Sequence, residues 1–250
     1  MQERRTKKVT IFGDSLFRGI IAGGDRKYVV SKFIDWEAID RRFGIEIDNR
    51  SRMGATAVYG LEQVRKYFQA DCECDYAVVE YGGNDSDYDW KDIAGGNLTP
   101  EPKTAPETFA DALGQILDLL QARGIKPILV SLPPIGSFRY YEWVTRIHGG
   151  AENIMRFLKN DVETISRHQE IYNNIVVGTA YARGLDLVDV RQAFLLRPDY
   201  AALMCEDGIH PNAAGEQVIV QAFTDKYAAR PTVSAVIGAA ASVGAAFAAL

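Results

Sequence analysis

Val9-Thr10-Ile11-Phe12-Gly13-Asp14-Ser15-Leu16 is an apolar run that stops at Gly-Asp-Ser. Its β-branched and aromatic residues are typical of a strand that is covered on both faces. Gly13 permits a sharp turn, which would leave Ser15 at the carboxyl end of that strand, where ligands of open α/β sheets bind. Taken alone, the stretch favours an ordinary turn in which Asp14 and Ser15 bond nearby backbone amides. Other residues of the chain are needed to show whether Ser15 is reactive.

Four further apolar runs indicate strands, and helical segments separate them. Strands that alternate with helices predict a parallel sheet with helices on both faces, and right-handed crossovers leave few topologies for it. We therefore predict an α/β fold, a flavodoxin-like three-layer α/β/α sandwich around a five-stranded parallel sheet. The later strands are predicted at 45–49, 75–81, 127–132 and 185–190, and the helices at 32–43 (capped by Ser31), 56–69, 105–123, 151–183 (with a break near 173–174) and 213–228.

Three segments without a regular period are expected at the rim of the sheet. Residues 16–30 and 86–104 are predicted to be loops, and the second is long enough for a connection to indicate function. The aromatic stretch 138–143 is compatible both with a wall around a substrate and with packing under a long loop. The candidate substrate contacts are Asp14, Tyr88, Trp90, Arg139, Tyr140, Tyr141 and Trp143.

Length and charge limit the classes of protein to which the chain can belong. The 250 residues suit one sizeable domain, which we assign to residues 1–230. Lys+Arg 28 against Asp+Glu 33 gives a net charge of -5, which disfavours nucleic acid as a partner. The amino end leads into a strand and not into an apolar helix with a cleavage site, so a cytoplasmic location is expected. The three cysteines, Cys72, Cys74 and Cys205, lack the spacing of a zinc site, and no metal is predicted.

The last segment, residues 231–250, differs in composition from the rest of the chain. From Val233 to Leu250 it carries no charge and consists mostly of alanine, glycine, valine and serine. Its length is near the lower limit of a membrane span, but alanine-rich sequence is only mildly apolar, so a membrane anchor is disfavoured. We expect this tail to pack either against the domain or against a second copy of the chain. The second arrangement would form a homo-oligomer.

A motif near the carboxyl end places a carboxylate and an imidazole within reach of each other. Asp207 and His210 are three residues apart across a glycine, and Pro211 biases His210 toward an extended backbone. The next helix then begins with Asn212 as its cap. The positive end of that helix would favour a neutral ring, whereas Asp207 would favour the charged form and orient the ring.

Two other positions are expected at the same edge of the sheet. Gly54 lies in a polar loop after the second strand, where its backbone N–H is free to point into a pocket. Asn84 follows the third strand in Gly82-Gly83-Asn84-Asp85 and is a candidate side-chain donor. Each also has an ordinary interpretation, as a loop glycine and as a turn or cap residue.

Taken together, four blocks in order resemble the SGNH (GDSL) hydrolase family: Gly13-Asp14-Ser15-Leu16, Gly54, Gly82-Gly83-Asn84-Asp85 and Asp207-Gly208-Ile209-His210-Pro211. The resemblance spans about residues 8–228. It implies that Ser15 is the nucleophile of acyl transfer, His210 its base and Asp207 the residue that orients His210. It also implies an oxyanion hole made of the Ser15 and Gly54 backbone N–H groups and the Asn84 amide, with no cofactor. The second block, Arg50-Ser51-Arg52-Met53-Gly54, is more basic than the usual version.

The implied activity is hydrolysis of a small-molecule ester. Because the sequence shows no long apolar groove, we favour short-chain carboxylic esters, with O-acetyl groups on carbohydrates among the candidates. One alternative is a thioesterase or lysophospholipase that acts on longer acyl chains. Another is a non-catalytic module that binds an ester or a glycan, against which the complete set of Ser15, Asn84, Asp207 and His210 argues.

Overall fold

The computed structural model describes residues 6–23, 27–31 and 33–228. The tail 231–250, which we expected to pack against the domain or against a second copy of the chain, lies outside the described residues. In chain order, the elements are β1 (Lys7–Phe12), α1 (Ser15–Arg18), β2 (Ile20–Ala22), β3 (Tyr28–Val30), α2 (Trp36–Phe43), β4 (Ile45–Asn49), α3 (Ala57–Gln69), β5 (Tyr76–Val79), α4 (Trp90–Ala94), α5 (Pro106–Ala122), β6 (Lys126–Val130), α6 (Ser137–His148), α7 (Ala151–Phe157), α8 (Thr164–Arg183), β7 (Asp186–Val188), α9 (Val190–Leu195), a 3-10 helix (Tyr200–Leu203) and α10 (Ala213–Ala228).

Five parallel strands form the central sheet in the order β4-β1-β5-β6-β7. The chain moves from β1 to one neighbour, β4, and then crosses to the other side of β1 to form β5. This reversal is the switch point of a flavodoxin-like sheet, and it creates a crevice at the carboxyl ends of β1 and β5. The prediction of a five-stranded parallel sheet in an α/β fold is confirmed.

Alternate residues of β1 and β5 face opposite sides of the sheet. Phe12 and Val79 belong to the core formed with α3, α5 and α8. Ile11 and Val78 belong to the core formed with α9 and α10. Because helices cover both faces, the inner strands contain nearly continuous apolar runs, whereas the edge strand β4 alternates apolar and polar residues.

Residues 16–30, predicted as a loop, contain a short helix and a hairpin. The Asp14 side chain caps α1 by accepting a hydrogen bond from Leu16 N. β2 pairs with β3 in antiparallel register, with Ile20 opposite Val30. The loop prediction is wrong because two strands of three residues are too short to show a period of two.

The helix predicted from residue 32 begins at Trp36. Its cap is Asp35, whose Oδ1 accepts a hydrogen bond from Ala38 N, and the prediction of Ser31 as the cap is therefore wrong. Ser31 instead donates a hydrogen bond of 2.6 Å to the Glu216 carboxylate, which ties this part of the chain to α10.

Two segments predicted as irregular contain helices. The stretch 138–143 lies in α6, and 86–104 contains α4. Tyr140 and Trp143 of α6 pack with Trp90 of α4 in a third buried cluster. Packing therefore accounts for these aromatic residues, whose three-residue spacing is that of one helix face.

The segment 151–183, predicted as one helix with a break near 173–174, forms α7 and α8. The break lies at 158–163, before α8 begins. Asn173 is buried inside α8, where its Oδ1 accepts a hydrogen bond of 3.1 Å from Leu132 N. An asparagine inside a helix was thus mistaken for a helix break.

Candidate active site

The carboxyl ends of β1 and β5 and the turn before α10 bring three predicted residues to one cavity. Ser15 is the first residue of α1, directly after β1, and Asn84 follows β5. His210 lies in the turn between the 3-10 helix and α10. All three line a cavity of about 330 Å³ at the point where the strand order reverses.

Ser15, His210 and Asp207 form a continuous hydrogen-bonded series. Ser15 Oγ lies 2.9 Å from His210 Nε2, and Asp207 Oδ2 lies 2.6 Å from His210 Nδ1. All three side chains are buried. A hydroxyl, an imidazole and a carboxylate in this order can move a proton from the hydroxyl to the ring while the carboxylate fixes the ring tautomer.

The turn before α10 has a backbone geometry that holds Asp207 against His210. Asp207 Oδ1 accepts hydrogen bonds from the Ile209 and His210 backbone N–H groups, at 3.1 Å each. Gly208 has φ +73°, and its carbonyl accepts a hydrogen bond of 2.8 Å from Gly136 N. A Cβ at Gly208 would lie 2.6 Å from the Gly136 carbonyl oxygen. Both conformation and space therefore require a glycine here.

Gly54 and Asn84 line the cavity together with Ser15. Gly54 has φ +78°, a conformation that favours glycine. Asn84 Nδ2 donates to Asp14 Oδ2 at 2.8 Å, which leaves its second hydrogen for the cavity. A side-chain amide in the same cavity as a serine is a donor of the kind that binds an oxyanion.

The predicted substrate contacts Asp14, Tyr88, Trp90 and Tyr140 line the cavity. Asp87 fixes two of these rings, because its Oδ1 accepts hydrogen bonds from Trp90 Nε1 at 2.7 Å and from the Tyr140 hydroxyl at 2.8 Å. The polar atoms of the two rings are therefore engaged within the protein. A ligand in the cavity would therefore contact the ring surfaces of Trp90 and Tyr140 and not their polar atoms.

The other three predicted contacts, Arg139, Tyr141 and Trp143, are not among the described residues that line the cavity. Arg139 Nη1 donates to the Ala201 carbonyl at 2.7 Å, where it anchors the 3-10 helix. Trp143 is 2% exposed and packs beside the Tyr28 ring, and Tyr141 packs against the third cluster. The structure thus does not bring these three side chains to the cavity: Arg139 is engaged with a backbone carbonyl, and Tyr141 and Trp143 are packed in the third cluster.

Sequence reasoning missed several cavity residues, among them Tyr28, Glu80, Lys103, Thr164, Gln169 and an apolar wall. Tyr28 of β3 packs edge-on against the His210 ring, with centroids 5.1 Å apart. No motif marked it, because the hairpin itself was not foreseen. Six residues form an apolar wall of the cavity. Leu132, Pro133 and Ile135 follow β6, and Phe157, Leu158 and Ile165 extend from the end of α7 to the start of α8.

The sequence matches the GDSL-like Lipase/Acylhydrolase family over residues 11–218. The chain belongs to this family. The match begins in β1 and ends in α10, so it includes Ser15, Gly54, Asn84 and the turn that carries Asp207 and His210. No curated protein sequence matches the chain.

Solved structures share the fold of this GDSL-family protein. The lipase/acylhydrolase from Enterococcus faecalis is 17% identical, with a TM-score of 0.63 over 91% of this chain and 99% of that chain. An alpha/beta hydrolase enzyme from the metagenome of Lake Arreo, Spain, is 21% identical, with a TM-score of 0.63 over 90% of this chain and 97% of that chain. A catalytic mutant of an acetylxylan esterase from Geobacillus stearothermophilus is 17% identical, with a TM-score of 0.60 over 90% of this chain and 96% of that chain.

Three buried carboxyl groups lie at the carboxyl edge of the sheet in this GDSL-family protein. Burial raises the pKa of Asp14, and it raises the pKa of Glu80 well above its usual range, with the neighbouring Asp14 charge as the next cause. Burial also raises the pKa of Asp85 to about 6. Desolvation therefore dominates the charge state of this edge.

Over residues 6–23, 27–31 and 33–228, no three histidine, cysteine, aspartate or glutamate side chains are grouped so as to hold a metal ion. Within the same ranges, no helix has both the length and the apolar character needed to cross a membrane.

Proposed function

We propose that this protein is a serine esterase that hydrolyses short-chain carboxylic esters through an acyl-enzyme intermediate on Ser15. The observation that carries the proposal is the hydrogen-bonded series of Ser15, His210 and Asp207 at the wall of the cavity. A serine hydroxyl is a weak nucleophile at neutral pH and needs a base within hydrogen-bond reach. His210 Nε2, 2.9 Å from Ser15 Oγ, meets that requirement.

In the first half of the reaction, Ser15 Oγ attacks the ester carbonyl carbon and His210 Nε2 takes the hydroxyl proton. The carbonyl oxygen becomes an oxyanion, which the Ser15 and Gly54 backbone N–H groups and Asn84 Nδ2 would bind. His210 then gives the proton to the leaving alkoxide, and the alcohol departs. A water molecule next attacks the acyl-enzyme by the same route and releases the acid. Asp207 stabilises the imidazolium each time it forms.

The lining of the cavity supports a small ester with a polar alcohol part. The lining combines the six residues of the apolar wall with polar groups that include Lys103, Thr164 and Gln169. The apolar wall is also the observation that favours the second candidate, a thioesterase or lysophospholipase acting on longer acyl chains. Because one structure of the same fold is an acetylxylan esterase, acetylated carbohydrates are the first natural substrates to test.

Hydrolysis of p-nitrophenyl esters from acetyl to palmitoyl tests the proposed function. We expect the rate to peak at acetyl or butyryl and to fall by at least about 10³-fold in Ser15→Ala. The matched control is Ser166→Ala, which removes a hydroxyl that contacts only Glu163 on the surface of α8 and should leave the rate unchanged. A Ser15-dependent peak at long chains would favour the second candidate. Absence of Ser15-dependent hydrolysis for every ester would favour the non-catalytic binding module.

A further inference from the structure

Glu80 is a buried carboxyl group that the proposed reaction does not use. It directly follows β5 and is 2% exposed. β1 and β5 are adjacent and parallel, with Phe12 opposite Val79, so the residues that follow them meet at the sheet edge. Glu80 Oε2 accepts a hydrogen bond of 3.2 Å from Asp14 N, and Asp14 is the residue before Ser15.

The Asp14 carboxyl connects Glu80 to Asn84. Asp14 Oδ1 accepts a hydrogen bond of 2.9 Å from Leu16 N, and its Oδ2 accepts one of 2.8 Å from Asn84 Nδ2. The Asp14 and Glu80 carboxyl groups also interact electrostatically, since each affects the pKa of the other. Two buried carboxylates so close together cannot both be charged without a large cost, so one keeps a proton. Glu80, whose pKa is raised well above its usual range by burial and then by the Asp14 charge, is the group that keeps it.

Gly13 and Gly83 have no side chains that would collide with these two carboxyl groups. A Cβ at Gly13 would lie 3.2 Å from Glu80 Oε2, and a Cβ at Gly83 would lie 3.2 Å from Asp14 Oδ2. Both distances are tighter than ordinary van der Waals contact for a Cβ atom. The glycines beside Asp14 and Asn84 thus allow this hydrogen-bonded chain to form.

The Asp14 carboxylate decides how the Asn84 amide is oriented. A carboxylate oxygen accepts hydrogen bonds, so it selects the NH₂ end of the amide and rejects the carbonyl end. One Asn84 hydrogen is then held by Asp14, and the other remains for the cavity that Asn84 lines. A donor fixed in advance stabilises an oxyanion better than one that must reorient during the reaction.

From these contacts we infer that Glu80 is a positioning residue, which acts through Asp14 to hold the Asn84 amide where the oxyanion forms. The inference rests on the proposed function, since it assigns a role within the same site. Glu80 donates its carboxyl proton to Asp14, and Asp14 accepts the Asn84 N–H. Glu80 also lines the cavity, but the proposed reaction assigns it no bond to the reacting atoms.

Steady-state kinetics of Glu80 variants on the best p-nitrophenyl ester tests the inference. We expect Glu80→Ala to lower kcat by roughly 10- to 10²-fold with KM unchanged, which is less than the 10²–10³-fold loss for removing an oxyanion donor. Glu80→Gln should restore kcat to within about threefold of wild type, because its amide can donate to Asp14 and accept from Asp14 N. A Glu80→Gln protein as impaired as Glu80→Ala would overturn the inference.

A double-mutant cycle separates positioning from general damage. In an Asn84→Ala background, we expect Glu80→Ala to cause less than a twofold further loss of kcat, because the amide it positions is absent. An equal loss in both backgrounds would mean that Glu80 acts on something else, which contradicts the inference. If Glu80→Ala does not fold, Asp14→Asn replaces it in the cycle with the same expectation, since it removes the carboxylate acceptor.

The outcome also distinguishes failure of the inference from failure of the proposed function. If the wild-type protein shows no hydrolysis that depends on Ser15, the proposed function is contradicted. Ser15-dependent hydrolysis that Glu80→Ala and Asp14→Asn leave unchanged would contradict only the inference. An independent readout is the Asn84 side-chain amide in nitrogen-15 NMR spectra, where we expect slow hydrogen exchange in wild type and Glu80→Gln and at least about tenfold faster exchange in Glu80→Ala. Equal exchange in all three would overturn the inference.

Discussion

Burial and hydrogen bonding move the pKa of Asp85 away from that of a free aspartate. This residue is fully buried, and both its carboxyl oxygens lie within hydrogen-bond distance of Ala57 N, at 3.0 and 3.1 Å. The helix start stabilises the charge, but burial outweighs it and raises the pKa from 3.8 to about 6. Asp85 therefore binds its proton more tightly in the folded chain than in the unfolded chain. Its contribution to stability is complete below pH 4 and is lost as the pH rises through 6.

We predict that Asp85→Asn becomes more stable relative to wild type as the pH rises from 4.5 to 7.5. Over this pH range the shift of the pKa corresponds to a change on the order of 2 kcal/mol in the difference between their free energies of unfolding. Asparagine keeps an acceptor for Ala57 N and carries no charge to desolvate. Urea unfolding of both proteins at four pH values measures this difference.

Asp161→Asn is the matched control for that pH dependence. Asp161 is exposed, and its hydrogen bond with Arg167 lowers the pKa of its carboxyl. Its contribution to stability is therefore lost only as the pH falls below the ordinary carboxyl pKa of 3.8, so the difference for Asp161→Asn should stay flat between pH 4.5 and 7.5. A difference for Asp85→Asn that is equally flat, or that falls as the pH rises, would contradict the account of Asp85.

At the scale of elements, the turn from Asp207 to His210 depends on its contact with the chain before α6. Gly208 lies in the left-handed region with φ +73°, and the Gly136 carbonyl fills the space beside it. An added methyl group would push the turn away from Gly136 and carry His210 with it. Since Ser15 lies on a different element, such a shift changes the distance between Ser15 Oγ and His210 Nε2.

We predict that Gly208→Ala lowers kcat by at least about tenfold and destabilises the fold by more than the 1–2 kcal/mol expected from a left-handed alanine alone. The matched control is Gly184→Ala, at the end of α8. Gly184 has φ +61° but nothing lies within 4 Å of its added Cβ. It should lose stability by the backbone cost only and keep full activity. Thermal unfolding and ester hydrolysis measure both, and equal behaviour of the two variants would contradict the steric argument.

At the scale of the whole molecule, the predictable part is the sheet and the positions at which its strands end. The five strands of the sheet lie within two residues of their predicted bounds, because the inner strands are mainly apolar and end at polar or glycine residues, while the edge strand β4 alternates apolar and polar residues. Ser15 follows β1 and Asn84 follows β5, so their position at one sheet edge was also predictable. The hydrogen bond of Asp207 to His210 was expected from their spacing of three residues.

The unpredicted part depends on contacts between segments that are distant in the sequence. Tyr28 reaches His210 only because a hairpin of two three-residue strands folds over it. Glu80 reaches Asp14 through the register of two strands, which apolar periodicity does not specify. α6 did carry a signal, since Tyr140, Trp143 and Val144 have the spacing of a helix face, but its aromatic content pointed instead to a loop at the site.

Mass spectrometry of the intact protein after reaction with a serine-directed phosphonate tests the central claim most directly, namely that His210 activates Ser15 as the nucleophile. We predict a single adduct, which peptide mapping places on Ser15, no adduct in Ser15→Ala, and labelling that is slowed at least about 10²-fold in His210→Ala. Labelling at another residue, or a Ser15 adduct that forms equally fast without His210, would contradict the claim.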